Sequence, residues 1–253
     1  MSVGVSLDLV NARRHEAVFK FKEARDGKML DRLDPLSTAI HEGAHAVFDE
    51  AFGLTVLDAT CYPPPSDPSL LGLVQNNADQ VVLPKPLIVV KTLAGDRAEH
   101  YFNVGGTFDP ELAIISGSDQ EDLVPVLRSL HLPSEALRGL LQVFLITTDH
   151  LVRGVIAQIM SVAAEMYAYG PKALPGDYVR RVIDAAEEQF VQAREGKKRL
   201  LDFRNETTKL SEAAYASLGR KMPTIEEAIA ERDASDILGC AWVQENPTMG
   251  GVQ

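Results

Sequence analysis

The feature that most constrains this chain is the pentapeptide His41-Glu42-Gly43-Ala44-His45, an HExxH string inside the apolar run from Ser37 to Phe48. Because positions i and i+4 share one face of an α-helix, a helix here would place both imidazoles side by side. Two such nitrogens can bind one zinc ion, and a carboxylate beside them can take a proton from a metal-activated water. The string therefore predicts a metal-binding helix with His41 and His45 as ligands and Glu42 as the catalytic base.

The flanking residues favour a helix over about 35–52. Asp34-Pro35 combines an N-cap residue with proline at the first helical position, and Gly53 is suited to ending the helix. Apolar residues at three- and four-residue spacing would form its buried stripe: Ile40, Ala44, Val47 and Phe48. Histidines beside a buried stripe need polar partners, which favours metal binding over a chance pattern on a solvated helix.

The rest of the chain predicts a mainly α-helical protein with a small β region, an α+β chain whose zincin-like HExxH helix packs in a helical bundle. Two short strands are expected on either side of Pro63-Pro64-Pro65, within 54–62 and 70–75. Further helices are expected at about 10–26, 87–103, 122–130, 133–169, from 176 to beyond 194, and at 223–233. We expect three parts: an N-terminal helical extension (1–34), a zinc domain (35–195) and a C-terminal helical or irregular extension (196–253).

Composition narrows the classes of function. The 253 residues are 45% hydrophobic and 24% charged, as in an ordinary globular protein, and the net charge of -11 argues against a nucleic-acid partner. The apolar stretch 137–160 is interrupted by charged side chains, which indicates a buried helix or helix pair and no membrane insertion. Cys61 and Cys240 are read as free thiols of a reducing compartment and the opening residues lack a signal-peptide pattern, so we expect a cytoplasmic protein.

Two segments carry a family resemblance. Thr38 to Val47 resembles the zinc helix of the FtsH-type proteases, membrane-anchored AAA+ metallopeptidases whose version usually reads HEAGHA. Leu93 to Glu99, followed by Phe102 and Gly105, is similar to that family's "GG-R-AAE…FG" helix. The resemblance covers about 35–195 and implies the zinc peptidase part alone, because the chain has no GxxxxGKS or GxxxxGKT string. It implies a polypeptide substrate, with a homo-oligomer or a separate ATPase as partner.

The resemblance also implies that an aspartate is the third metal ligand. Residues 116–123 fall where the family has a Gly-Ala-Ser-Asn-Asp-Leu loop that carries this aspartate. Asp119 is preferred because apolar residues follow it at the spacing of the family's next helix: Leu123, Val126, Leu127 and Leu130. Asp122 stays open, since a helix that starts there would tolerate Pro125 better. Glu99 is a further alternative, as in HExxH enzymes that take a glutamate from a downstream helix.

The sequence therefore favours a zinc-dependent metallopeptidase in which Glu42 acts as general base. The alternative is a catalytically inactive, peptidase-like scaffold or regulatory binding protein with a structural metal. A third hypothesis is a metal-dependent hydrolase of a non-peptide amide. The presence of Glu42 favours an enzyme, because a site without chemistry has no need of that base. Ala94, Gly95 and Ala98 form a small-residue face, which predicts a close approach of their helix to the zinc helix.

Overall fold

The computed structural model describes residues 7–25, 34–64, 68, 70–103, 117–228 and 230. Within these residues the chain forms eight long α-helices, a short 3-10 helix (Ala78–Gln80) and three short strands. The helices are α1 (Leu7–Arg25), α2 (Pro35–Phe52), α3 (Lys85–Asn103), α4 (Gly117–Arg128), α5 (Ser134–Gly154), α6 (Ile156–Tyr169), α7 (Gly176–Gln189) and α8 (Val191–Ser217). The strands are β1 (Val56–Thr60), β2 (Leu73–Asn76) and β3 (Leu174–Pro175). The expectation of a mainly α-helical protein with a small β region is confirmed.

Helix α2, which carries the HExxH string, has the ends that its sequence predicts. The Asp34 carboxylate accepts a hydrogen bond from the Leu36 amide at 2.9 Å, and Pro35 stands at the first helical position. Gly53 ends the helix with a φ of 88°, a left-handed conformation that glycine adopts at little cost. The four predicted stripe residues are at most 3% exposed: Ile40, Ala44, Val47 and Phe48.

The helical bundle is assembled around α2, which packs against α3 and α6. Helix α1 lies on α6, where Arg14 Nη2 is 2.6 Å from Glu165 Oε2. Helix α8 contributes Leu200, 1% exposed, to the same core. Because α8 runs from Val191 to Ser217, the predicted domain limit at 195/196 falls inside this helix. The division of the chain into three parts stays a prediction.

The sheet lies against one side of α2. Strand β1 is central and pairs antiparallel with both β2 and β3, so β2 is an outer strand. Both predicted strands are present with somewhat different bounds, in a register that pairs Thr60 with Leu73 and Val56 with Asn76. Strand β3 has two residues, too few to show the alternation that predicts a strand.

The predicted helical stretch 133–169 is a pair of helices, α5 and α6, bent by 74° at their junction. Among the described helices, none is by itself both long and apolar enough to cross a lipid bilayer, and α5 and α6 meet that criterion only when taken together. Residues 225–228 are helical, within the predicted 223–233. Gly105 and Cys240 lie outside the described residues.

Candidate metal centre

The two histidines of the HExxH string lie one turn apart on α2 and turn toward the same point. Their ring centroids are 4.8 Å apart with an interplanar angle of 74°, and the two Nε2 atoms are 3.1 Å apart. The side chains of His41 and His45 are 11% and 12% exposed. The predicted pair is thus at the edge of the core, close to solvent.

Asp119 reaches the histidines from the first turn of α4. Its Oδ2 is 3.2 Å from Nε2 of His41, and its Oδ1 is 3.5 Å from Nε2 of His45. Leu123, one turn further and 2% exposed, holds α4 in an apolar cluster with Val89 and Leu93 of α3. Two histidines of one helix turn and an aspartate distant from them in sequence therefore meet at one point, where they could hold a metal ion.

The alternative ligand Asp122 is not brought to this point. Helix α4 begins at Gly117, earlier than the alternative required, and it accommodates Pro125 in its interior. Asp119 shares a helix face with buried Leu123, whereas Asp122 lies off that face and is exposed. The apolar contact of α4 with α3 decides between the two carboxylates.

The spacing of the donor atoms suits a tetrahedral ion. Ligand atoms about 2.0–2.1 Å from a tetrahedral zinc lie about 3.3–3.4 Å from one another. The two Nε2 atoms are 3.1 Å apart, and each lies 3.2 or 3.5 Å from the nearer oxygen of the Asp119 carboxylate. Imidazole nitrogen and carboxylate oxygen are also usual zinc ligands. The chemistry of the donor set thus fits zinc, and the three groups lie close enough together to hold one ion.

The other ring nitrogens are held by groups from α3. Nδ1 of His45 donates to the carbonyl oxygen of Lys91 at 3.1 Å, which leaves the lone pair on Nε2 directed at the shared point. Nδ1 of His41 faces Glu99 Oε2 at 3.7 Å and Asp96 Oδ1 at 3.9 Å. Glu99 Oε1 accepts a hydrogen bond from the Ser37 hydroxyl at 2.8 Å. Glu99, considered as a third ligand, thus lies on the far side of the His41 ring from Asp119.

Charge is strongly perturbed at this cluster. Burial lowers the pKa of His41, but the Asp119 and Glu99 carboxylates outweigh it and raise this pKa well above its usual range. Burial raises the pKa of Asp119, but His45 and His41 lower it further, so this pKa lies well below its usual value. Both shifts have the same cause, the proximity of imidazole and carboxylate, and both favour positive charge at this cluster.

Glu42 lies on the side of α2 that faces the sheet. A Cβ atom on Gly72, just before β2, would stand 2.7 Å from Glu42 Cγ and 2.8 Å from the Thr60 carbonyl oxygen. The outer strand can therefore begin beside Glu42 only because residue 72 has no side chain. Burial raises the pKa of Glu42, and the two histidines oppose this shift. A raised pKa suits a carboxylate that must take up a proton near neutrality.

The predicted close approach of α3 is present at Gly95. A Cβ atom there would lie 2.6 Å from Nε2 of both His41 and His45. Ala94 and Ala98, the other members of the small-residue face, are fully buried. Gly95 thus leaves open the space between the two imidazoles and α3.

Sequence reasoning missed several residues that surround the centre. No sequence pattern identifies Ser37 or the Lys91 carbonyl, because their roles depend on how α2 and α3 pack against each other. Asp49 carried a weak signal, since it follows His45 by four residues and so shares its helix face. Its side chain is 1% exposed and 3.2 Å from the Lys91 ammonium. Cys61, predicted to be a free thiol, is free and buried, and burial raises the pKa of this thiol to about 12.

Comparison with protein-family models, with curated proteins and with solved structures found no match to this chain.

Proposed function

We propose that this protein is a zinc-dependent metallopeptidase, similar to the peptidase part of the FtsH-type proteases. The observation that carries the proposal is the convergence of His41, His45 and Asp119 on one point, with Glu42 on the same helix turn. The separations of the donor atoms, the tautomer set by Lys91 and the pKa shifts support a cation at that point.

The chain's own residues have distinct roles in this proposal. His41, His45 and Asp119 would hold the zinc ion through two nitrogens and a carboxylate. When bound, zinc supplies Lewis-acid chemistry, since it lowers the pKa of water and polarises a carbonyl oxygen. Glu42 takes the proton from the attacking water and then passes it to the leaving amine. The raised pKa of Glu42 supports this transfer, because a more basic carboxylate accepts the proton more readily.

The outer strand β2 offers a way to recognise a polypeptide. Its outer edge is not paired within the described residues, and the strand starts beside Glu42 at Gly72. An extended peptide that adds to such an edge is held by its main chain, with little demand on its sequence. We propose unfolded polypeptide as the substrate, with further copies of the chain or a separate ATPase as the partner. The cytoplasmic location, predicted from the thiols, also stays a prediction.

Metal analysis and a cleavage assay test the function together. Wild type should purify with about one zinc ion per chain and cleave casein or an unstructured peptide. Glu42→Gln should keep the zinc and lose cleavage by about 100- to 10,000-fold, because it cannot accept the proton. Asp122→Asn, an exposed acid on α4, is the matched control and should match wild type.

The alternatives are separate outcomes of this test. Bound zinc without cleavage of peptides or other amides would favour the inactive scaffold. Glu42-dependent cleavage of non-peptide amides alone would favour the third hypothesis. Protein that binds no zinc when it is supplied would overturn the proposal.

A further inference from the structure

The Asp49 carboxylate connects α2, the helix that carries the HExxH string, to α3 and to β2. Asp49 lies on α2 one turn past His45, and its side chain is 1% exposed. One oxygen, Oδ1, is 3.2 Å from the Lys91 ammonium of α3, and the other, Oδ2, accepts a hydrogen bond from Asn76 of β2 at 2.5 Å. A buried carboxylate is costly unless it is paired, and each oxygen of Asp49 has its own partner.

Each partner of Asp49, Lys91 or Asn76, is connected to a residue of the proposed site. The backbone carbonyl of Lys91 accepts the hydrogen bond from Nδ1 of His45, so the placement of Lys91 sets the orientation of that ring. Asn76 ends β2, whose other end approaches Glu42 at Gly72. Asp49 is not one of the groups that converge on the proposed ion, yet it contacts both α3 and β2.

We propose that Asp49 is a positioning residue: through Lys91 it orients His45 for zinc, and through Asn76 it sets the position of the outer strand relative to Glu42. This inference rests on the proposed function, since it assumes zinc at the histidines. Groups that orient a metal-ligating histidine typically change metal affinity about 10- to 100-fold when removed.

Zinc affinity distinguishes a positioning role of Asp49 from a pure charge effect and from a purely structural role. Asp49→Asn and Lys91→Met should each weaken zinc binding about 10-fold in a chelator competition assay. Lys91→Met keeps the backbone carbonyl that accepts from His45 and removes only the ammonium. A pure charge effect predicts opposite changes in zinc affinity for the two variants. The loss of the Asp49 anion would weaken cation binding, and the loss of the Lys91 cation would strengthen it. A purely structural role would lower the melting temperature and leave the zinc affinity of the folded protein unchanged.

The double variant and a matched control complete the zinc experiment. Asp49→Asn/Lys91→Met should bind zinc no more weakly than the weaker single variant, because both changes break the same link. Glu50→Gln removes the neighbouring carboxylate, which accepts from the Val56 amide at 2.8 Å and from Arg180 at 3.1 Å. Glu50 is tied to β1 and α7 and not to α3, so this variant should bind zinc as wild type does.

The proposed effect of Asp49 on the outer strand β2 is tested separately, by the KM for a peptide substrate. Asn76→Ala should leave the zinc affinity unchanged and raise KM for an unstructured peptide about 3- to 10-fold, as expected for one lost hydrogen bond.

The results that overturn the inference differ from those that overturn the function. If wild type binds zinc and Asp49→Asn binds it equally well, or Lys91→Met binds it more tightly, Asp49 has no positioning role and the peptidase proposal stands. If wild type binds no zinc, both fail together. If wild type binds zinc without cleaving, the peptidase proposal fails and the zinc affinities still decide the role of Asp49.

Discussion

Replacing Gly95 by alanine tests directly whether an ion sits between the histidines. The new methyl carbon would lie 2.6 Å from Nε2 of both His41 and His45. An ion bound by these nitrogens needs both lone pairs and lies about 2.0–2.1 Å from each nitrogen. The methyl group would therefore crowd both ligating nitrogens unless α3 moves away from α2 or the two rings turn.

The cost to the metal-free fold should be smaller than the cost to binding. Overpacking of a tight contact costs about 1–3 kcal/mol, and alanine recovers up to about 1 kcal/mol because it is a better helix former than glycine. The net destabilisation is then about 0–2 kcal/mol, a fall in melting temperature of up to about 8 °C for a chain of this size. The fold should survive with its zinc affinity reduced more than about 100-fold, beyond the usual effect of removing a group that orients a ligand.

Gly139→Ala is the matched control, because nothing lies within 4 Å of a Cβ atom at this position on α5. It should bind zinc like wild type and gain up to about 1 kcal/mol in stability. The assays are zinc content after gel filtration, a chelator competition and thermal unfolding with and without zinc. Wild-type zinc affinity in Gly95→Ala would refute the placement of the ion between these rings.

Three further predictions follow from the same geometry. Asp119→Ala should abolish stoichiometric zinc binding while Asp122→Ala retains it, as measured by metal analysis; the opposite pattern would assign the ligand to Asp122. Removal of zinc by a chelator should lower the melting temperature by about 8–16 °C at a free zinc concentration 1,000-fold above Kd, because binding then adds about 4 kcal/mol; an unchanged melting temperature would contradict it. Burial raises the pKa of Cys61 from 9.0 to about 12, so the folded state favours the protonated thiol. The stability that depends on this thiol is therefore fully present below pH 9 and is lost as the pH rises toward 12. The free energy of unfolding, measured with urea, should fall between pH 8 and pH 10 in wild type, and this fall should be smaller by roughly 1 kcal/mol in Cys61→Ala. Equal falls in the two proteins would show that the thiol ionises equally well in the folded state.

Local chemistry explains why α2 could be predicted closely. Its N-cap, its proline and its terminal glycine act within a few residues, and its apolar stripe repeats at helical spacing. The bounds of β1 and β2 differ somewhat from the prediction because strand ends depend on pairing between segments. Strand β3 pairs with β1 through residues 174 and 175, a contact that no local pattern encodes.

The third member of the candidate metal centre shows what the sequence alone could not decide. Spacing and resemblance left Asp119, Asp122 and Glu99 open as ligands. Packing of Leu123 against α3 turns Asp119 inward and leaves Asp122 exposed, and Gly95 lets α3 approach so closely that Glu99 lies on the other side of His41. These outcomes depend on distances between helices, which side-chain volumes set only after the chain has folded.

The amino-acid sequence by itself determined the helical class, the HExxH helix and the pairing of His41 with His45, because each depends on interactions within one or two helical turns. Tertiary structure alone decided which carboxylate joins them, which backbone carbonyl orients His45, and that Asp49 links α2 to both α3 and β2. Those contacts join residues distant in the chain, and they form only when the burial of apolar faces brings whole elements together.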